Sequence, residues 1–328
     1  MSLYMHAFLI IAVLLIRRYT REKRTLTRAR KGAFPMVTLS NQYLAVSIKA
    51  DSAELTSIKD QASGHEFLWQ ADPTFWNRHA PVLFPIVSRL VDNTYTYQGT
   101  HYELSRHGFA RDMVFDLVSA DDSHARYQLS ASEATKANYP FDFDFFIEYT
   151  LADHAVTVTY EVHNKATDQE MYYTVGGHPA FNVSLDQNQA FDQVDYQVEP
   201  AGQYDLYPLT VDGFIDLDQV HSVEVSDHVI TREDFKNDAH VYKVDDQTKV
   251  ILNDNKANVT VTMQTKDMPY VGIWSTYPAD APFVCLEPWT APADDIHASG
   301  DFTEKFAVSK LAAGATAQHA YTLTFNKN

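Results

Sequence analysis

The chain has 328 residues and a single cysteine, Cys285, which excludes an intramolecular disulfide and any thiolate-rich zinc site. Its formal charge is -17, and residues 36–328 alone carry 18 basic against 42 acidic side chains. A body this acidic lacks the clustered positive charge that nucleic-acid backbones require, so nucleic acid is not an expected partner.

Residues 1–35 differ from the rest. Leu3 to Ile16 is an apolar run broken only by Tyr4 and His6, and a basic stretch follows from Arg17 to Lys31. The run is shorter than the roughly 18–20 residues of a transmembrane helix. Its positive charge also comes after the apolar part, the reverse of a secretory leader. A short signal anchor stays open under the positive-inside rule. The reading adopted is that Met36 is the true start, which leaves residues 36–328 as one domain and gives that domain no membrane partner. The lone cysteine fits a reducing, cytoplasmic location.

From Val37 onward the pattern is strands and turns. Tyr43–Ile48 alternates, as does Phe141–Leu151, where Phe141, Phe143, Phe145, Ile147, Tyr149 and Leu151 share one face and only Phe146 breaks the order. After Asp153 and His154, the residues Val156, Val158, Tyr160 and Val162 continue a buried face, which predicts a long antiparallel hairpin. A second hairpin is expected from Lys249–Leu252 and Val259–Met263 across an Asn253-Asp-Asn255 turn, and a final strand over Tyr321–Phe325. No segment sustains a helical period for more than about three turns. An all-β chain, a large antiparallel β-sandwich with a groove along its loops, is the expected architecture.

Two segments carry candidate chemistry. Phe283-Val-Cys-Leu-Glu-Pro-Trp289 reads as a strand with Phe283, Cys285, Glu287 and Trp289 on one face. A carboxylate among apolar groups needs a partner or a task, because desolvating its charge costs several kcal/mol. Gly176-Gly-His-Pro-Ala-Phe-Asn182 holds His178 in a loop with a proline fixed directly after it. An acid and a base flanking one pocket suffice to move two protons on a small molecule, and both being structural is the competing reading.

Four further segments stand out: Asn77-Arg-His-Ala-Pro-Val-Leu-Phe-Pro85, His107-Gly-Phe-Ala-Arg111, Phe235-Lys-Asn-Asp-Ala-His-Val-Tyr242 and Ala291-Pro-Ala-Asp294. In this order, together with the glycine–histidine loop and the glutamate strand, they resemble the aldose 1-epimerase (galactose mutarotase-like) superfamily. The closer resemblance is to its LacX-like and hexose-6-phosphate-epimerase-like branches, across about residues 36–328. The resemblance implies a mutarotase-type β-sandwich that interconverts the α and β anomers of a hexose or hexose 6-phosphate, with a sugar in an open groove. It implies Glu287 as general base, His178 as general acid, and Arg78 and His107 as substrate-binding residues. Asp238 matches, through a looser motif, the carboxylate that grips sugar hydroxyls. Against the galactose-specific branch, His178 is followed by Pro-Ala-Phe-Asn and His107 by a single glycine, which leaves the sugar open.

Other readings of these residues remain. Arg78 is either a salt-bridge partner or a two-pronged donor to sugar oxygens. His107 is either a turn histidine or a ligand contact, and Arg111 either braces its loop or binds a 6-phosphate. Asp238 could equally be a turn residue. Cys285 reads as core packing under the site, and Trp76 and Trp289 as core. His101, His154, His163 and His240 read as surface or turn residues, and the Asp121-Asp122, Asp245-Asp246 and Asp294-Asp295 pairs as solvated turns. No metal or other cofactor is expected: the chain has no dinucleotide fingerprint and no P-loop. With an ionised Glu287 and a protonated His178 required together, nearby carboxylates are expected to raise the pKa of His178. Two other classes stay open, a non-catalytic sugar-binding or sensing domain and a glycoside hydrolase pairing Glu287 with Asp238 about 5–9.5 Å away.

Overall fold

The structure, a computed structural model, describes residues 36–327; the apolar and basic segment 1–35, with its expected boundary at Met36, lies outside the described residues. Strands dominate, and the helical pieces are short, the α-helix Glu133–Lys136 and several single 3-10 turns. Most strands join one large antiparallel sheet of 15 strands; Met36–Ser40, Leu44–Lys49 and Leu55–Asp60 form a separate three-stranded sheet. The all-β antiparallel architecture expected from the alternation is the one found. Among the described residues no helix is long and apolar enough to cross a membrane.

The long hairpin forms where the alternation places it. Phe143–Ala152 pairs with Ala155–Asn164, and Ala152 faces Ala155 across Asp153 and His154. Phe143, Phe145, Ile147, Tyr149 and Leu151 are buried and meet Val156, Val158, Tyr160 and Val162 in the main core. Phe146, the one exception to the pattern, lies on the outer face under Arg126, whose Cζ sits 4.2 Å from its ring centre. Arg126 also reaches Glu148 at 2.8 Å and Glu161 at 2.7 Å, so the aromatic ring supports a cation held by two carboxylates.

The second hairpin turns later than the Asn253-Asp-Asn255 cluster suggests. The strand runs Lys249–Asp254, and residues 255–258 make the turn before Val259–Lys266. Asn253 stays in the strand because its amide donates to Asp195 at 2.9 Å and its oxygen accepts from Thr260 at 3.1 Å. Asp254 is buried, accepting from the Ser184 and Ala257 backbone amides at 2.7 and 2.9 Å. Turn-forming residue types satisfied by cross-strand partners do not have to turn.

The strand Phe283–Trp289 is buried along its whole length on both faces. On one side it pairs with Tyr270–Trp274, where Gly272 faces Glu287. On the other it pairs with two short pieces, Gly176–Gly177 and Ala180–Asn182, through Gly176 opposite Trp289 and Ala180 opposite Cys285. Both pairings keep one register, and that register sets His178 directly opposite Glu287. Two glycines make room for the Trp289 indole. A Cβ on Gly176 would sit 2.6 Å from its ring and 3.0 Å from the Pro288 carbonyl oxygen, and one on Gly272 would sit 2.9 Å from the far edge of the ring. Gly176→Ala therefore overpacks this point, with an expected loss of about 1–3 kcal/mol of stability. Urea unfolding should show a lower midpoint at unchanged slope; a midpoint equal to the parent's would show that Trp289 has room to move.

Candidate active site

Glu287 and His178 open into one cavity of about 260 Å³. Its walls include Trp76, Trp274 and Trp289, with Arg106, His107, Arg111 and Asp238 as the remaining charged or titratable groups. A slightly larger cavity of about 300 Å³ lies beside Tyr95, Asp294 and Lys305. There the buried amine of Lys305 is already bonded to Asp294 at 3.1 Å and to the Pro292 carbonyl at 3.0 Å.

The acid and base candidates stand closer than the sequence suggests. His178 Nε2 lies 3.1 Å from Glu287 Oε2, so the two groups sit side by side and not on opposite edges of a ligand-sized space. The angle leaves Oε2 without a true hydrogen bond, and His178 Nδ1 is also buried without a partner. Glu287 is 2% exposed and His178 7%. The imidazole is held between aromatic rings, 4.8 Å from Trp76 and 5.5 Å from Trp274 between ring centres, and its backbone N–H donates to the Pro81 carbonyl at 3.1 Å.

Burial decides the protonation of this pair. It pushes the Glu287 carboxyl well above the usual range, and the negative Asp238 adds to that while Arg106 opposes it. Burial, then the positive Arg106 and Arg111, push the His178 imidazole well below its usual range. The expectation that carboxylates raise the pKa of His178 is thus overturned: three arginines face it, and desolvation acts in the same direction. A neutral carboxyl beside a neutral imidazole and a carboxylate beside an imidazolium contain the same one proton. Both shifts favour the neutral carboxyl beside the neutral imidazole, and two groups this close titrate as one unit.

His107 is buried in the left-handed region at φ 68°, followed by Gly108, also at 68°, where a Cβ would run into the Phe84 carbonyl. Its ring is locked in one tautomer. The Ser88 N–H donates to Nδ1 at 3.1 Å while the His107 N–H donates back to the Ser88 carbonyl at 2.5 Å, so the neutral ring carries its proton on Nε2. Burial keeps it neutral, pushing its pKa well down, with His178 and Arg106 nearby adding to the effect.

Asp238 also lines the cavity, at φ 72°, and accepts from Arg106 Nη2 at 2.7 Å. Arg111 lines it too, donating to the Arg106 carbonyl at 2.6 Å, with its Nε buried and unbonded. Burial and the like charge of Arg78 push its pKa down to about 10. Arg78 itself does not line the cavity. Its guanidinium is taken by Asp112 at 2.7 Å and by the Arg111 carbonyl at 3.2 Å, which makes it a neighbour of Arg111.

Arg106, Trp274 and Ser88 are cavity residues that sequence reasoning passed over, and Trp76 and Trp289 are walls of it as well as core. The adjacency of Arg106 to His107 was an available signal for one of them. Trp274 enters only because its strand pairs it with Cys285, which no local pattern shows. Cys285 is fully buried, in an apolar cluster with Trp69 and Phe283, as expected of core packing. His240, expected at the surface, is half-buried against Phe235 and Tyr242, and burial lowers its pKa.

Comparison with known proteins agrees with this fold. The sequence profile of the family described as Aldose 1-epimerase matches residues 35–304. The plasmid-encoded protein LacX of Lactococcus lactis subsp. lactis is 29% identical over 298 residues, which is 88% of this chain and 98% of LacX. A galactose mutarotase related enzyme from Lactobacillus acidophilus superposes with a TM-score of 0.86 at 34% identity, covering 89% of this chain and 98% of that one. A galactose mutarotase-like protein from Lactobacillus casei gives 0.83 at 29% identity, covering 89% and 100%. With a profile match over most of its length, the chain belongs to the aldose 1-epimerase family.

Proposed function

We propose that the protein is an aldose 1-epimerase acting on a hexose or a hexose 6-phosphate, with Glu287 and His178 as its proton carriers. The observation that carries this reading is the buried Glu287–His178 couple, its Oε2 and Nε2 3.1 Å apart, at the wall of a cavity with polar and aromatic sides. In the ionic tautomer the Glu287 carboxylate takes the proton of the C1 hydroxyl. The C1–O5 bond breaks as C1 becomes a carbonyl, and the His178 imidazolium gives its proton to O5. The couple is then in its neutral tautomer, still with one proton. After the open aldehyde turns about C1–C2, the same transfers in reverse close the other anomer.

Burial serves both transfers: a carboxylate with a raised pKa is the stronger base, and an imidazolium with a lowered pKa the stronger acid. The cost is that the ionic tautomer is the less populated one: Arg106 favours the Glu287 carboxylate but opposes the His178 imidazolium, and Asp238 opposes the carboxylate. His107 Nε2–H, Asp238 and Arg106 supply donors and acceptors for ring hydroxyls, and the indoles supply apolar faces. Arg111, crowded by two other guanidiniums and with its Nε unbonded, supports an anionic substituent on the sugar.

Glu287→Gln and His178→Asn are each expected to lower the rate of anomer exchange, followed by polarimetry or NMR on free and 6-phosphorylated hexoses, by ~10²–10⁴-fold. A parent protein that binds hexoses but leaves the exchange rate at that of buffer would instead make this a sugar-binding domain. The pH dependence is a second check. Activity is lost when the couple gains a second proton, as pH falls through the lowered His178 pKa. It is lost again when the couple gives up its only proton, as pH rises through the raised Glu287 pKa. The profile should therefore be flat through pH 6.5, the ordinary histidine value; an acid limb centred there or higher would contradict the burial argument.

A further inference from the structure

We propose that His178, Cys285 and Glu287 form a binding site for a borderline-soft divalent cation such as Zn²⁺, and that the cation shuts the site by replacing the proton held between His178 and Glu287. A ring nitrogen of His178, the Cys285 sulfur and a carboxylate oxygen of Glu287 all lie within 4.8 Å of one another, and all three residues are buried. Zinc at about 2.0–2.3 Å from nitrogen, oxygen and sulfur sets tetrahedral ligand separations of about 3.3–3.7 Å. The Nε2–Oε2 separation is already 3.1 Å, so closing the set takes side-chain adjustments on the order of an ångström. His178 and Glu287 line the cavity, from which water or a sugar hydroxyl would supply a fourth ligand.

Two observations point to a ligand here. Glu287 Oε2 and His178 Nδ1 are buried with no hydrogen-bond partner. The strand geometry also puts Cys285 and Glu287 on one face, two residues apart, with His178 opposite in register. The exchange conserves charge. One proton leaves the thiol and one leaves the His178–Glu287 couple as one divalent ion enters, so Arg106 and Arg111 meet no added positive charge. A thiolate, imidazole and carboxylate set favours zinc or cobalt over magnesium or calcium, which prefer oxygen alone.

The probe is Co²⁺ added to the full chain. Cys285 is the sole cysteine, so a thiolate-to-cobalt charge-transfer band in the near ultraviolet has one possible source. The band is expected in the parent and absent in Cys285→Ser. Zn²⁺ is expected to inhibit anomer exchange reversibly, with chelator restoring it and Mg²⁺ without effect. Relative to each protein's own rate, Cys285→Ser should need about tenfold more Zn²⁺ or greater for the same inhibition. A cobalt-saturated parent without the band, or zinc inhibition unchanged in Cys285→Ser, overturns the proposal. If Cys285→Ser does not fold, Cys285→Ala replaces it, and the band in the parent decides alone. Only the inhibition arm rests on the proposed activity; the cobalt band stands or falls without any sugar.

Discussion

Taking a carboxyl group and an imidazole out of water together is the constraint around which the cavity of this protein is arranged. Either group alone and charged at 2–7% exposure would carry a desolvation penalty of several kcal/mol. Placed 3.1 Å apart with one proton between them, they can be neutral as a unit whichever atom holds that proton. The surroundings follow from this. Arg106 is paired with Asp238, and Arg78 with Asp112, so most of the local positive charge is spent before it reaches the couple. Burial, then Arg106 and Arg111, biases His178 toward its neutral form, and Arg111 keeps an unused donor at the cavity wall.

The backbone delivers this arrangement by sheet register. The strand Phe283–Trp289 lies buried between Tyr270–Trp274 and the pieces Gly176–Gly177 and Ala180–Asn182. His178 and Pro179 interrupt those two pieces without shifting their register, so the histidine meets the glutamate across the break. Gly176 and Gly272 admit the Trp289 indole, and Gly177 leaves room for the Tyr160 and Tyr321 hydroxyls. Gly176, Gly177 and Gly272 thus accommodate the protein's own aromatic side chains. A constellation built on strands of a large sheet is held more firmly than one on loops.

The family membership accounts for the fold, while the particular charges of this cavity are the chain's own. A body with 18 basic and 42 acidic residues places three of its six arginines, Arg78, Arg106 and Arg111, around one couple. Their mutual repulsion, partly relieved by Asp112 and Asp238, makes the region locally cationic within an acidic protein. That contrast is the physical basis for expecting a polar, hydroxyl-rich or anionic ligand here.

Much of the fold was legible in the chain because its signals are local. Period-two alternation identified the hairpin of Phe143–Ala152 and Ala155–Asn164, the buried strand around Glu287 and the all-β class, since side chains on a strand alternate whatever lies across from them. The exceptions had nonlocal causes: Phe146 lies outward under Arg126, and Asn253 stays in a strand because Asp195 and Thr260 hold it. Glu287 and His178 could be singled out by residue type and setting, but their distance could not, because register depends on pairing between segments a hundred residues apart. The same holds for Arg106 reaching Asp238, for Arg78 turning to Asp112, and for the direction in which His178 is shifted. Sequence determined which residues prefer to be buried and which can carry protons; only the tertiary structure decided who faces whom, because desolvation and charge are sums over neighbours that the chain brings together from far apart.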